Sequence, residues 1–201
     1  MEKPAPTQVR IHEHLTRRWS PRAFEDRLVE PEKLRRLFEA ARWSPSSANE
    51  QPWYFIVATK DNAEEFARAL QCLRPGNIGW AKDAPVLVFT VTRLNWTKNN
   101  EPNRHAQYDM GQSIAHLTFE AMAEGLFVHQ MGGFFPEKVK EAYGVPDGYE
   151  PMTAVAIGYG GELSTLPEDL RQRELQPRTR KDLDGFVFSG HWNSTSPIVR
   201  A

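Results

Sequence analysis

The chain has 201 residues, 40% hydrophobic and 25% charged, the balance of an ordinary globular protein with enough chain for a sizeable core. Lys+Arg 25 against Asp+Glu 26 leaves a net charge of -1, which argues against nucleic acid or any partner held by a global field, so a basic site must be local. A single cysteine, Cys72, excludes an internal disulfide and a cysteine metal cage and fits a reducing compartment.

Residues 1–6 are Pro-rich and expected to fray. They carry no apolar leader-like run, and no stretch of the chain is long enough to span a bilayer, so a cytoplasmic protein with no membrane partner is expected. Thr7 should cap a short helix carrying Val9, Ile11 and Leu15. It ends near Arg17-Arg18-Trp19-Ser20-Pro21-Arg22, the first basic cluster. The cluster reads as a solvated helix end, where Arg suits the dipole, or as part of a site. His12 and His14 lie two apart, on different helix faces, so no metal is expected there.

Pro31 opens the next helix, in which Leu34, Leu37, Phe38 and Ala41 form one core-facing stripe. The loop Ser44 to Trp53, S-P-S-S-A-N-E-Q-P-W, then separates that helix from a strand expected to be buried, Trp53 to Thr59. Proline stiffens this loop and disfavours helix at Ser44. Ser46, Ser47 and Asn49 are thus exposed, either to cap the helix end or to bond something planar and polar. Asp61-Asn62-Ala63-Glu64 resembles a capping box before a helix through Phe66, Ala69 and Leu70. Pro75 to Gly79 reads as a turn and Pro85 to Thr92 as an apolar strand.

Leu94 to Gln107 is a polar excursion with Trp96, His105 and Tyr108 among or beside it, the kind of segment that carries substrate choice. Asp109 to Glu124 predicts a helix apolar on several sides and therefore buried, with His116 as a satisfied core histidine. A short apolar link, Phe127 to Met131, leads to Gly132-Gly133, which lets a backbone approach a ligand or merely turns. Pro136 to Tyr143 reads as a short helix and Thr153 to Gly158 as a strand. The tail from Leu163 is polar up to a second basic cluster, Arg178-Thr179-Arg180-Lys181, beyond which Phe186 to Phe188 looks extended. One domain spanning 1–201, with residues 163–201 as a C-terminal arm, is expected. Walker, G-x-G-x-x-G, H-E-x-x-H and G-x-S-x-G patterns are absent.

Taken in order, R-R-W-S-P-R-A-F, A-A-R-W-S-P-S-S-A-N-E-Q-P-W-Y-F-I-V, D-M-G-Q-S-I-A-H-L, A-I-G-Y and R-T-R-K resemble the nitroreductase family of flavoproteins from about Arg17 to Phe188. The resemblance implies an α+β fold with a central, mostly antiparallel sheet flanked by helices, in a homodimer that exchanges its C-terminal arms. It implies FMN at the dimer interface and NAD(P)H as donor. By resemblance, Arg18 and Ser20 match contacts to the flavin phosphate and pyrimidine side, and Arg22 a basic residue near the ring. Pro45, Ser46, Ser47 and Asn49 match a loop supplied by the partner subunit. Asn77 matches a residue at the pyrimidine edge, Gly132 and Gly133 a backbone near N5, and Arg178 and Arg180 a pair reaching the phosphate. The chain departs from the pattern at Gly132 and Phe135, where acidic residues are frequent, and at Trp80, where some members have a base.

The function so implied is hydride transfer from NAD(P)H through flavin N5 to a small electron-poor acceptor of nitroaromatic or quinone type. Trp96, His105 and Tyr108 would line the substrate side, and no side chain need be a nucleophile. The alternatives are an FMN-binding storage or sensor protein without turnover, and a relative that dehalogenates its substrate or fragments flavin.

Overall fold

The structure, a computed structural model, describes residues 2–200. Strands β1 (Trp53–Thr59), β2 (Val86–Arg93), β3 (Phe127–Met131) and β4 (Tyr149–Gly158) form one antiparallel sheet in the order β1-β2-β4-β3. Around it lie helices α1 (Glu13–Arg17), α2 (Pro31–Arg42), α3 (Ala63–Gln71), α4 (Pro75–Ala81), α5 (Ala106–Ala123), α6 (Pro136–Tyr143) and α7 (Glu168–Leu175). This is the expected α+β architecture, a central sheet flanked by helices, with every strand pairing antiparallel.

Central strand β2 is buried from Val86 to Thr92 because helices cover both faces of the sheet. Its alternation divides the core in two. Val86 and Val88 join Val155 and Ile157 of β4 against Leu37 and Ala41 of α2 and Ile114, Leu117 and Ala121 of α5. Leu87 and Phe89 join Ala154 and Ala156 against Phe66 and Ala69 of α3, Trp80 of α4 and Val139 of α6. Helix α5 is apolar on several sides, as its sequence predicts, and its buried hydroxyls are satisfied. Ser113 Oγ donates to the Ala41 carbonyl at 3.1 Å and Thr118 Oγ1 to the Ile114 carbonyl at 2.7 Å.

Several local expectations are corrected. Residues 7–12 are not helical; α1 begins at Glu13, and Val9, Ile11 and Leu15 are exposed, with no core behind them to reward a longer helix. The Pro-rich start is held, with the Ala5 N–H donating to Thr16 O at 2.8 Å. Strand β1 is a half-exposed edge strand in which Ala58 alone is buried. Asn62 rather than Asp61 caps α3, its side chain accepting from the Glu65 N–H. Pro75 to Gly79 is the body of α4, because proline at the first helical position and burial of Trp80 and Ala81 outweigh two glycines. The link after α5 is strand β3, and the polar tail contains α7. His116 lies exposed on α5, its Nδ1 2.9 Å from Gln112 O, outside the core.

Leu117, fully buried between α2 and the sheet, is the most direct probe of this packing. Leu117→Ala should cost about 2–5 kcal/mol in urea unfolding through lost contacts and an unfilled cavity. A smaller loss would show that α5 collapses onto the gap.

Candidate functional site

Arg18 follows α1 and turns inward, with the Ser20 hydroxyl 3.3 Å from its Nη1. Arg178 and Arg180 of the C-terminal arm approach the same place. The Arg18 guanidinium is held below its ordinary range first by burial and then by Arg178 and Arg180; burial and then Arg180 act likewise on Arg178. Arg178 is fixed by Nη1 donating to the carbonyls of Lys3 and Thr16, each at 2.8 Å, and Arg180 Nη1 donates to its neighbour Thr179 O at 2.7 Å. Among the described residues none of these three arginines forms an ion pair. Guanidinium groups gathered without a carboxylate repel one another, and an anion with several acceptor oxygens reverses the sign of that interaction.

Arg22 lies beside this group but is differently bound. Its Nη1 donates to Glu174 Oε1 at 2.7 Å and its backbone N–H to Glu174 Oε2 at 3.1 Å. Its guanidinium carbon is 6.0 Å from the centre of the Trp80 ring. Trp80 packs against His129, ring centres 4.5 Å apart, and His129 Nδ1 lies 2.8 Å from the Pro21 carbonyl. Burial pushes the His129 pKa down to about 4, opposed by the hydrogen bond to Pro21 and assisted by Arg22 and Arg18. The ring is therefore neutral at pH 7, with Nδ1–H as donor.

One turn before Trp80, Asn77 Nδ2 donates to Gly133 O at 2.9 Å, which leaves its Oδ1 as a free acceptor. A Cβ on residue 133 would stand 2.4 Å from Asn77 Nδ2, so this approach requires glycine. At Gly132 a Cβ would meet nothing within 4 Å, and no such requirement exists. Arg18, Ser20, Arg22, Asn77, Gly132, Gly133, Arg178 and Arg180 thus line one region, at the β3 edge of the sheet.

Pro45, Ser46, Ser47 and Asn49 form a second region at the other edge. Ala48, Asn49 and Gln51 have φ of 53°, 55° and 49°, left-handed values that are unfavourable for side-chain-bearing residues, Asn least so. The loop is held in that shape by Gln51 N–H donating to Ser46 Oγ at 3.0 Å and Ser47 N–H donating to Asp109 Oδ2 at 3.1 Å. Asp109 is buried in the first turn of α5. Strained backbone maintained by its surroundings is characteristic of functional loops. The excursion rests on this loop, with the Thr97 N–H donating to Glu50 Oε1 at 2.6 Å. Trp96 and His105 are half-buried and Tyr108 is exposed, all on the loop side rather than among the arginines.

The two regions share one end of the sheet. Met131 pairs with Ala154, which lies opposite Phe89, whose partner in β1 is Ile56, three residues from Trp53. They stand at opposite edges, however, three strand spacings or about 14 Å apart. Glu174, His129 and Asp109 were not singled out by the sequence. Only Asp109 carried a usable signal, as an acidic residue at the start of a helix. Among the described residues no group of three His, Cys, Asp or Glu is placed to hold a metal, and no helix is long and apolar enough to cross a membrane.

Comparison with known proteins gives a consistent result. The family model described as Nitroreductase family matches residues 15–159. A solved structure of an oxidoreductase containing FMN is similar with a TM-score of 0.89 and 34% identity, covering 95% of this chain and 97% of its own. An FMN-dependent nitroreductase of Clostridium difficile is similar with a TM-score of 0.67 and 25% identity, covering 89% and 98%. A protein of Polynucleobacter asymbioticus named "Putative NADH dehydrogenase/NAD(P)H nitroreductase" is 32% identical over 162 residues, 71% of this chain and 81% of its own length.

The buried histidine makes the acid limb of stability testable. His129 titrates near 4 in the folded chain against about 6.5 unfolded, so the folded state binds fewer protons as the pH falls. Its contribution is complete above pH 6.5 and is lost between pH 6.5 and 4, about 3 kcal/mol in all. His129→Gln should flatten that limb in urea titrations from pH 7.5 to 4. An unchanged slope would assign the loss to other groups.

Proposed function

The chain belongs to the nitroreductase family, and from this we propose that it is an FMN-dependent oxidoreductase passing a hydride from NAD(P)H to a small, flat, electron-poor acceptor of nitroaromatic or quinone type. The observation that carries the reading is the set Arg18, Arg178 and Arg180, three converging cations with no carboxylate partner. A phosphate monoester of nearly two negative charges suits them through charge-assisted, bidentate bonds. The similar oxidoreductase containing FMN supports the choice of phosphate, and the relative named for NAD(P)H supports the donor.

When bound, FMN supplies reversible hydride chemistry at N5. The chain's own residues orient and tune. Arg18, Ser20, Arg178 and Arg180 would hold the phosphate end. Asn77, whose Nδ2 is committed to Gly133 O, offers Oδ1 to a ring N–H, and the backbone at Gly132-Gly133 would cover one face. Arg22 brings positive charge to the pyrimidine edge, where reduction places negative charge.

One protomer holds the arginine set and Pro45, Ser46, Ser47 and Asn49 at opposite edges of the sheet, an arrangement that suits a ligand shared between two copies of the chain. A homodimer with exchanged arms would provide that sharing. It would also cover Trp192 and Ile198, 85% and 84% exposed in the single chain. Trp96, His105 and Tyr108 would then stand beside the open face of the ring, where aromatic surfaces suit flat substrates. Donor and acceptor would use that face in turn.

The decisive experiment is direct. The purified protein should be yellow, release FMN on denaturation, and bleach with NAD(P)H under anaerobic conditions. Flavin that binds without bleaching would favour storage or sensing. Arg18→Ala and Arg180→Ala should each weaken FMN binding about 10- to 100-fold, the loss of a charged hydrogen bond of roughly 1.5–3 kcal/mol. Unchanged dissociation constants in both would move the phosphate elsewhere. Double-reciprocal plots at several acceptor concentrations should be parallel. Intersecting lines with a detectable ternary complex would mean two separate substrate sites.

A further inference from the structure

Resting on the FMN reading above, we propose that Glu174 is a positioning residue that aims Arg22 at the pyrimidine edge of the flavin and, as its counter-charge, limits how strongly Arg22 favours the reduced cofactor.

Glu174 is out of character for its helix. Its neighbours in α7, Glu168, Asp169, Gln172 and Arg173, are exposed, yet Glu174 is only 1% exposed. A carboxylate enters the interior only where charge and hydrogen bonds compensate for lost water. Both of its oxygens go to one residue, Oε1 to the Arg22 guanidinium and Oε2 to the Arg22 main chain. This two-point grip fixes the two ends of the Arg22 side chain together. Among the described residues neither Arg22 Nε nor Nη2 has a hydrogen-bond partner, and the side chain stays 27% exposed. One edge of the guanidinium is therefore held and the other is presented.

The presented edge has a defined setting. Trp80 stands beside Arg22 and is itself wedged between His129 and Phe24, so the guanidinium cannot swing toward the sheet. Asn77 lies one turn away on the same helix and touches Gly133, the two residues read here as the edge and face contacts of the ring.

The charge setting is equally specific. Lys3, Arg18, Arg178 and Arg180 crowd the same region, and Lys3 is pushed down by burial and by Arg178 and Arg22 while Glu174 pulls it up. The Lys3 ammonium reaches the main-chain carbonyl of Glu174, leaving the carboxylate to Arg22. An arginine facing this carboxylate presents a weaker net field to a nearby ring than an unpaired one. Reduced flavin carries negative charge around N1 and C2=O, so that field sets the preference for the reduced form. A clamp that merely fastened the arm would have no defined sign of effect on the potential.

Spectroelectrochemical titration of the full-length FMN-loaded protein provides the test. Glu174→Gln, which removes the charge and can still accept one of the two bonds, should raise the ratio of reduced to oxidised flavin at fixed potential about tenfold, about 30 mV for a two-electron couple. Glu174→Asp, which keeps the charge, should stay near the wild-type potential, and Arg22→Ala should fall below it. Glu174→Gln at or below the wild-type potential, with Arg22→Ala lowered, overturns the role of Glu174 while leaving the flavin placement intact. If Glu174→Gln does not fold, Glu174→Met fills the same volume without an unpaired amide and should show the same rise; failure of both to fold would make Glu174 a purely structural ion and overturn the proposal. Wild-type protein without FMN, or Arg22→Ala at the wild-type potential, would remove the flavin placement itself and the proposal with it.

Discussion

A carboxylate in the interior of a protein is stable only if cations and N–H groups replace the water it has lost. Glu174 meets that condition entirely with Arg22, and in doing so joins two segments distant in sequence. Helix α7 is mostly polar, with Leu170 packed into the core and Glu174 paired to Arg22, and these two buried residues together set where it lies. The position of α7 in turn places Arg178 against the carbonyls of Lys3 and Thr16, and Arg180 beside Arg18. The gathering of the three arginines is thus coupled to a buried pair made several residues away. Replacing only one member of such a pair would leave an uncompensated charge, a loss of about 3–5 kcal/mol in comparable cases.

The sheet contributes a different constraint. Its order leaves β1 and β3 as edges, and each edge ends in a segment with unusual backbone requirements. After β3, Gly133 must be glycine because Asn77 lies against it. Before β1, three non-glycine positive φ values among four residues, at Ala48, Asn49 and Gln51, are tolerated because Asp109 and Ser46 hold the loop. Neither segment does chemistry alone. Their separation by the full sheet is what makes association of two chains part of the functional reading rather than an addition to it.

Much of this was legible in the sequence, for identifiable reasons. Helices α2 and α6 begin at prolines and strand β2 is a continuous apolar run, so periodicity and capping located them. The two arginine clusters stood out against a nearly neutral chain. Misreadings arose where tertiary burial overrode local preference. Pro-Gly-Asn-Ile-Gly looked like a turn until Trp80 anchored it as a helix, and β3 was too short to be distinguished from a link. Glu174 and His129 were invisible because nothing in the local sequence of a polar helix or a five-residue strand announces burial. Their roles follow from partners more than a hundred residues away in the chain.

The location of the three converging arginines has a consequence for biosynthesis. Arg18 leaves the ribosome well before Arg178 and Arg180, which follow it in the chain by 160 and 162 residues. At about 5–20 residues per second, roughly 8–30 s of translation separate the first guanidinium from the last. The central sheet, complete at Gly158, can form before the arm has left the exit tunnel. A ligand that requires all three guanidinium groups can therefore be held only once Arg180 has emerged. On the FMN reading, the supply of the cofactor then acts after the sheet has formed, as a step separate from the folding of the core.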